Sequence, residues 1–282
     1  MDSLFHQFVE EKRYLVGVAK GTISWYSQSF KNYKKYSDPD GINRFTLNRF
    51  IVGMRQAGLS PVTINDNIRA INVFLTWLFQ NGHTPEHLKM KKVKEEQTII
   101  QTFSDKQLEA LVSWKPKKNT EKRLHTLILT AIDTGCRIEE LLTLKRENVN
   151  FDSLVMKVTG KGKKERVVPF SIELRKSLFK LLKSHTFDLV FCARNGNLLS
   201  DDNMRRDFRA LAKELGISGV RVSFHTLRHT FAVNYVRSGG NIFYLQRQLG
   251  HTDLSMTKRY VNLQTTDLQM EHRRISPLGR LK

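Results

Sequence analysis

Apolar residues recur at helical spacing in three successive segments of the first third of the chain. They are Ile23, Tyr26, Phe30 and Tyr33; Leu47, Phe50, Ile51 and Met54; and Ile64, Ile68, Ile71, Leu75 and Leu78. Thr22 is a candidate cap for the first segment, and Ser60-Pro61 begins the third with a capping residue followed by proline at the first helical position. Gly58 and Asn81-Gly82 end the second and third segments. The pattern predicts a small helical bundle over 1–88.

Lysines then replace the apolar pattern. Lys89, Lys91, Lys92 and Lys94 lie close together, and apolar periodicity fades over 83–101. We interpret 89–101 as a Lys-rich linker. A charge run of this kind is as often simply a solvated surface, but a basic linker also suits a DNA backbone.

A second domain is predicted over 102–282. Ser104 and Gln107 form a capping-box pattern, with Phe103 and Leu108 as a hydrophobic staple, and a helix face follows at Leu124, Leu127, Ile128, Ala131 and Ile132. Residues 154–158 and 166–169 read as strands around Gly160-Lys161-Gly162, which predicts a hairpin. A third strand is predicted at Leu189-Val190-Phe191, before a turn at Asn195-Gly196. The expected fold class is mainly α-helical with a small antiparallel β-sheet in the second domain.

The net charge of the chain indicates which kind of partner it binds. The 282 residues include 47 Lys+Arg and 27 Asp+Glu, a formal net charge of +20. So basic a surface favours a polyanion, because binding phosphates releases condensed counterions. DNA is therefore the leading partner. An anionic membrane is the rival, but no basic amphipathic segment and no long apolar run is evident. Two distant cysteines, Cys136 and Cys192, favour a reducing compartment, so we expect a cytoplasmic protein.

Four short segments carry candidate chemistry. They are Thr134-Gly135-Cys136-Arg137-Ile138-Glu139-Glu140-Leu141-Leu142; Gly160-Lys161-Gly162-Lys163-Lys164-Glu165-Arg166; His225-Thr226-Leu227-Arg228-His229; and Leu249-Gly250-His251, with Tyr260 nine positions later. Each alone has an ordinary reading: a surface ion pair for Arg137, a solvated turn for Lys161, a helix C-cap for Gly250 and a packing role for Tyr260. His225 and His229 have zinc-ligand spacing, but the glutamate of H-E-x-x-H is absent and no third ligand is evident.

Together the residues form an inventory for phosphoryl transfer. Two arginines, Arg137 and Arg228, suit the non-bridging oxygens of a phosphodiester, and histidines donate hydrogen bonds and move protons near neutral pH. A tyrosine hydroxyl with a pKa of about 10 attacks only when a base or nearby cations help. A hairpin lysine can protonate the departing 5′-oxygen. Such chemistry works by positioning and electrostatics, so we expect no metal and no cofactor.

The four segments, in this order, resemble the catalytic core of the tyrosine recombinase (phage integrase) family over about 103–265. The resemblance implies that Arg137 and Arg228 clamp the phosphate, Lys161 is the general acid, and His225 and His251 donate hydrogen bonds and handle protons. It implies that Glu140 orients the first arginine and that Tyr260 is the nucleophile of a 3′-phosphotyrosyl bond. The segment before residue 89 resembles the family's core-binding domain more weakly.

The sequence departs from the family pattern at two places. Cys136 stands where a larger apolar residue is usual, and Glu139 stands beside Glu140 where a small residue is common. The orienting acid is therefore Glu140 by spacing, with Glu139 as the alternative. Lys163 and Lys164 leave the choice of hairpin lysine open in the same way.

The resemblance also implies an assembly. It predicts a two-domain clamp around duplex DNA and a homo-tetramer on two DNA sites, which exchanges strands through a four-way junction. A C-terminal segment after Tyr260 would dock on a neighbouring protomer. The short chain favours an Xer-like recombinase or a transposon-encoded resolvase of the TnpI type.

Two other function classes remain open. A type IB topoisomerase-like or telomere-resolving enzyme would use the same tyrosine chemistry and give different products. A non-catalytic DNA-binding regulator would keep the scaffold without needing the tyrosine. Covalent capture of DNA and the topology of the products separate these alternatives.

Overall fold

The computed structural model of the chain comprises two compact units. They are Met1–Thr98 and Ile99–Lys282, and the described residues of each hold a hydrophobic core. The structure describes residues 1–37, 41–95, 101–160, 162, 164–250, 257, 272 and 276. The domain bounds that the sequence predicts stay a prediction, and the division between the units falls inside the predicted linker 89–101.

The described part of the first unit is helical. Its helices are α1 (Asp2–Glu10), extended by a π-helical segment (Glu11–Leu15), α2 (Lys20–Tyr36), α3 (Arg44–Gln56) and α4 (Pro61–Gln80). Helix α1 was not among the predicted helical segments, although Leu4, Phe5, Phe8 and Val9 recur at helical spacing and pack on the core. The predicted cap at Thr22 is wrong: α2 begins at Lys20 after Ala19, whose carbonyl accepts the first helical hydrogen bonds without a side-chain cap.

Helix α4 is the centre of the first core. All five residues of its predicted stripe are buried, and the Ser60 side chain accepts a hydrogen bond from the Thr63 N–H at its N-terminus. Helices α1, α2 and α3 pack against it. The local signals for this helix are therefore confirmed.

Two asparagines of α4 hold the segment that follows the bundle. Asn72 donates through Nδ2 to the Met90 carbonyl at 2.9 Å and accepts from the Met90 N–H at 2.9 Å. Asn65 does the same for Val93, at 2.9 and 2.8 Å. Each side-chain amide thus pairs both backbone groups of one extended residue, as a neighbouring strand would.

The lysines of this segment alternate with its buried residues. Leu88 and Met90 are buried and Val93 is half-buried, whereas all four lysines are exposed. Residues 88–95 are consequently attached to the first unit by packing and hydrogen bonds, and their positive charges face solvent.

We predict that Asn72→Ala destabilises the first unit by about 2 kcal/mol, because it leaves the N–H and carbonyl of buried Met90 without their partner. The measurement is urea unfolding followed by circular dichroism. Gln56→Ala, an exposed change on α3, is the control and should stay within about 0.5 kcal/mol of wild type. Equal small effects of both changes would contradict the role given to Asn72.

The second unit surrounds α6. Its elements are α5 (Asp105–Ser113), α6 (Asn119–Thr134), α7 (Ile138–Leu142), a 3-10 turn (Arg146–Asn148), β1 (Val149–Asn150), β2 (Val155–Thr159), β3 (Glu165–Pro169), α8 (Ile172–Lys183), α9 (Asp201–Glu214), α10 (Phe224–Arg237) and α11 (Ile242–Leu249). Helices α5, α8, α9 and α10 contact α6. The capping box of Ser104 and Gln107 is present at α5, as predicted.

The observed sheet contains the predicted hairpin but not the third strand predicted at 189–191. Its order is β1-β2-β3, antiparallel throughout, with Met156 opposite Val149 on one side and Val168 on the other. The predicted strand at 189–191 is wrong, since Leu189 and Cys192 form only isolated bridges to Lys145 and Leu198. Val190 and Phe191 are buried together, so core packing accounts for the apolar run.

The predicted fold class, mainly α-helical with a small antiparallel sheet, is confirmed. Among the described residues, no helix combines the length and the apolar character needed to span a bilayer.

Candidate active site

A buried carboxylate, Glu140 on α7, is the centre of the site. Its side chain is 3% exposed and accepts four hydrogen bonds. The Arg137 backbone N–H and Nη1 donate at 2.8 and 2.9 Å. Arg166 on β3 donates to both carboxylate oxygens, from Nη1 at 2.7 Å and from Nη2 at 2.8 Å. The charge is therefore paired in the bidentate geometry that arginine and carboxylate favour.

This pairing lowers the pKa of Glu140. Burial alone raises the pKa, but the hydrogen bonds and charge of Arg166, together with the donors of Arg137, outweigh it and hold the pKa below its ordinary value. Burial lowers the pKa of Arg166, and its bonds to Glu140 more than reverse the effect. The pair is ionised at neutral pH.

Arg137 is placed by the junction between α6 and α7. Gly135 ends α6 in the left-handed conformation with φ 65°, which lets the chain turn sharply. Cys136 is fully buried and anchors the turn, and Arg137 is the N-cap of α7. Its side chain remains 32% exposed.

Arg228 lies on α10 behind this junction and is only 2% exposed. Its Nη1 donates to the Gly135 carbonyl at 2.9 Å and its Nη2 to the Leu249 carbonyl at 2.7 Å. The same Leu249 carbonyl accepts from Arg137 Nη1 at 3.3 Å. Two guanidinium groups from distant parts of the sequence therefore converge on one oxygen.

The C-terminal end of α11 supplies that oxygen. Gly250 caps the helix with φ 64°, and a Cβ placed on it would lie 3.1 Å from Arg166 Nη1. Arg166 also donates through Nε to the Gln248 carbonyl at 2.6 Å. The glycine thus meets two needs, a left-handed backbone and close approach of a guanidinium.

His225 lies in the first turn of α10, three residues before Arg228. It is exposed, its ring centroid is 4.3 Å from that of half-buried His229, and the two rings meet edge to face. Within the described ranges, no group of three or more His, Cys, Asp or Glu residues is arranged to hold a metal ion. The expectation of metal-free chemistry stays a prediction.

Three predicted residues, Lys161, His251 and Tyr260, lie outside the described residues, as does Lys163. The residues before two of them are described. Gly160 sits where an added Cβ would be 3.2 Å from Glu140 Oε1, and Gly250 packs against Arg166. The structure therefore brings together Arg137, Glu140 and Arg228.

Comparison with known proteins identifies the family. The model of the "Phage integrase family" matches residues 101–267. This chain belongs to the phage integrase family. Tyrosine recombinase XerD of Oceanobacillus iheyensis is 26% identical over 93% of both chains, and tyrosine recombinase XerC of Staphylococcus aureus strain USA300 is 28% identical over 94% of this chain and 84% of that protein.

Solved structures share the fold. The Tn1549 transposon integrase in complex with transposon right end DNA has a TM-score of 0.81 at 18% identity, over 97% of this chain and 99% of that one. XerH recombinase in a pre-cleavage complex with difH substrate has a TM-score of 0.74 at 18% identity, over 97% and 84%. The predicted Xer-like membership of the phage integrase family is confirmed.

The two adjacent acids of this family member have different surroundings, and the role of Glu140 as the orienting acid stays a prediction. Glu140 lies with the arginines, whereas the Glu139 side chain is 65% exposed and lies 3.9 Å from Arg205. Cys136, the other departure from the family pattern, is fully buried, and its Sγ lies 4.0 Å from Arg166 Nη2.

Arg166 also belongs to this site, although the sequence motifs predicted no role for it. Its signal was the strand alternation: Arg166 and buried Val168 are two residues apart on β3 and therefore share a face. An arginine on the inward face of a strand indicates a buried acid opposite it.

We predict that Gly135→Ala destabilises the second unit by about 3 kcal/mol, because the added Cβ combines left-handed strain with a 2.4 Å approach to the Phe231 ring. Gly216→Ala is the matched control: its φ is 67° and nothing lies within 4 Å of the added Cβ, so about 1 kcal/mol is expected. The measurement is the free energy of unfolding of both variants. A loss no larger at Gly135 than at Gly216 would show that the turn before Arg137 is not tightly packed.

Proposed function

We propose that this chain is a site-specific DNA recombinase that cleaves and rejoins duplex DNA through a 3′-phosphotyrosyl intermediate. The observation that carries the proposal is the convergence of Arg137 and Arg228 on the Leu249 carbonyl oxygen, in a member of the phage integrase family. The two guanidinium groups share one neutral carbonyl oxygen here. A phosphate would be a better partner than this carbonyl, because it offers charged oxygens to both groups. The net charge of +20 supports DNA as the partner.

Arg137 and Arg228 differ in solvent exposure, and we infer that they act differently when DNA binds. Arg137 is exposed enough to meet an incoming phosphate, while Arg228 is covered. DNA binding therefore includes a local rearrangement that uncovers Arg228 and exchanges the Leu249 carbonyl for a phosphate oxygen. Glu140 holds Arg137 in place during this exchange.

The remaining roles follow the family resemblance. Tyr260 attacks the scissile phosphorus, and His225 and His251 handle its proton and donate to the phosphate. The bond to the 5′-oxygen breaks, and Lys161 protonates that oxygen. The products are a 3′-phosphotyrosyl bond and a free 5′-hydroxyl. Attack by a 5′-hydroxyl of the partner strand reverses the step, so ATP is not needed.

Recombination requires two DNA sites, and we propose four protomers on them, linked through the C-terminal segment after Tyr260. The helical first unit and the second unit would clamp the duplex, with the exposed lysines of residues 88–95 available to its phosphates. The TnpI-type alternative to an Xer-like enzyme stays a prediction. The two free, buried cysteines suit a reducing, DNA-containing compartment, which in a bacterium is the cytoplasm.

The test is covalent capture on a suicide substrate, nicked beside the cleavage point, in the presence of a chelator. The DNA comes from the region that flanks the gene. We predict a denaturation-resistant protein–DNA band with wild type and none with Tyr260→Phe. Tyr244→Phe is the matched control: this tyrosine on α11 is 66% exposed, and its variant should form the adduct at the wild-type rate.

Other results of the covalent capture experiment would point to other functions or to another nucleophile. An adduct with Tyr260→Phe would refute Tyr260 as the nucleophile. Specific DNA binding without any adduct would indicate a regulator. Relaxation of a two-site plasmid without strand exchange would indicate a topoisomerase-like enzyme.

A further inference from the structure

We propose that Arg166 is a positioning residue for strand cleavage: it fixes Glu140 and the C-terminal end of α11 so that Arg137 and Arg228 can grip the same phosphate. The inference rests on the proposed function, since it names a further residue of the same site.

All three nitrogens of the Arg166 guanidinium are engaged. Nη1 and Nη2 hold the two oxygens of Glu140 at 2.7 and 2.8 Å, and Nε donates to the Gln248 carbonyl at 2.6 Å. A planar fork with three fixed donor directions can satisfy both partners simultaneously. The ammonium group of a lysine cannot reproduce this geometry.

The two partners of Arg166, Glu140 and Gln248, each lie next to a contact made by Arg137 or Arg228. Glu140 binds Arg137 through Nη1 and the backbone N–H. Gln248 precedes Leu249, whose carbonyl both Arg137 and Arg228 contact. Arg166 therefore connects α7, β3 and α11, and together with Arg137, which contacts both Glu140 and the Leu249 carbonyl, it links the acid to the helix end.

The contact also reaches the hairpin that contains Lys161. Arg166 lies on β3, which pairs with β2 from Val155 opposite Pro169 to Thr159 opposite Glu165. Gly160, at the start of the connection between the strands, donates to the Lys164 carbonyl at 2.8 Å and packs against Glu140. One side chain thereby ties the hairpin to the arginines, so a change at Arg166 should alter the chemical step.

The ion pair of Arg166 and Glu140 is better suited to positioning the site than to stabilising the fold. Its side chains are 11% and 3% exposed, and buried ion pairs are a weak source of net stability. Arg137 still pairs with Glu140 when Arg166 is changed, so the buried carboxylate keeps a charged partner. What is lost is the bidentate hold on the carboxylate and the connection through Arg166 to the Gln248 carbonyl of α11.

The experiment compares Arg166→Lys and Arg166→Gln with Arg175→Lys, using full-length protein and the suicide substrate. Arg175 is a matched control, since it is an exposed arginine of α8 that donates through Nε to the Phe151 carbonyl at 3.1 Å. Two quantities are measured separately: the rate of adduct formation at saturating DNA, and the Kd for DNA. Thermal unfolding by circular dichroism reports folding.

We expect Arg166→Lys to slow adduct formation at saturating DNA by about 100-fold, the scale of effect that small misplacements of a reacting group produce. Its Kd for DNA should stay within about threefold of wild type, and Arg175→Lys should match wild type in both quantities. Arg166→Gln, which loses the charge and the fork, should be slower still.

A wild-type rate for Arg166→Lys would overturn the proposal. Loss of cooperative unfolding in both Arg166 variants, or parallel loss of affinity and rate, would also overturn it in favour of a purely structural role. If wild type itself forms no adduct, the proposed function fails. If wild type forms the adduct and the Arg166 variants equal it, only the positioning role fails.

Discussion

The second unit depends on one buried negative charge that is shared between two arginines. Glu140 is 2% exposed, and a carboxylate at that depth is stable only when its oxygens are fully paired. Arg137 pairs with it from within the same turn of chain, and Arg166 from a strand. The pairing fixes the start of α7 and the inward face of β3. Through the Arg166 bond to Gln248 it also fixes the end of α11.

The convergence of Arg137 and Arg228 on the Leu249 carbonyl follows from this arrangement. A helix end leaves its last carbonyls without intrahelical partners, and here two guanidinium groups satisfy one of them. The same donors suit a phosphate that carries more charge in the transition state than in the ground state. In the proposed mechanism, DNA binding uncovers buried Arg228 and exchanges the Leu249 carbonyl for a phosphate oxygen, which couples DNA binding to chemistry.

Local signals in the sequence were sufficient for much of the fold. The cap at Ser60-Pro61, the box of Ser104 and Gln107, and the hairpin around Gly160 were predicted because each depends on neighbouring residues. The strand predicted at 189–191 was wrong because core packing accounts for the apolar run there. The cap predicted at Thr22 was wrong because α2 begins at Lys20 without a side-chain cap. Motif order predicted Arg137, Glu140 and Arg228 as site residues, and the structure places these side chains close together. The contacts of Arg166 and of the asparagines that hold residues 88–95 depend on distant partners that no local pattern specifies.

An ionised Glu140 can be tested through the pH dependence of the unfolding free energy of wild type and of Glu140→Gln, which is close to an isostere of the protonated acid. Because pairing holds the pKa of Glu140 below its ordinary value of 4.5, the ionised network stabilises the fold above that pH, and the contribution is lost as pH falls through the folded-state pKa. We expect the variant to be less stable than wild type by about 3 kcal/mol at pH 7, and this difference to narrow below about pH 4.5. A gap that is absent at pH 7, or that stays constant as the pH falls, would contradict an ionised Glu140 as the organising charge of the site.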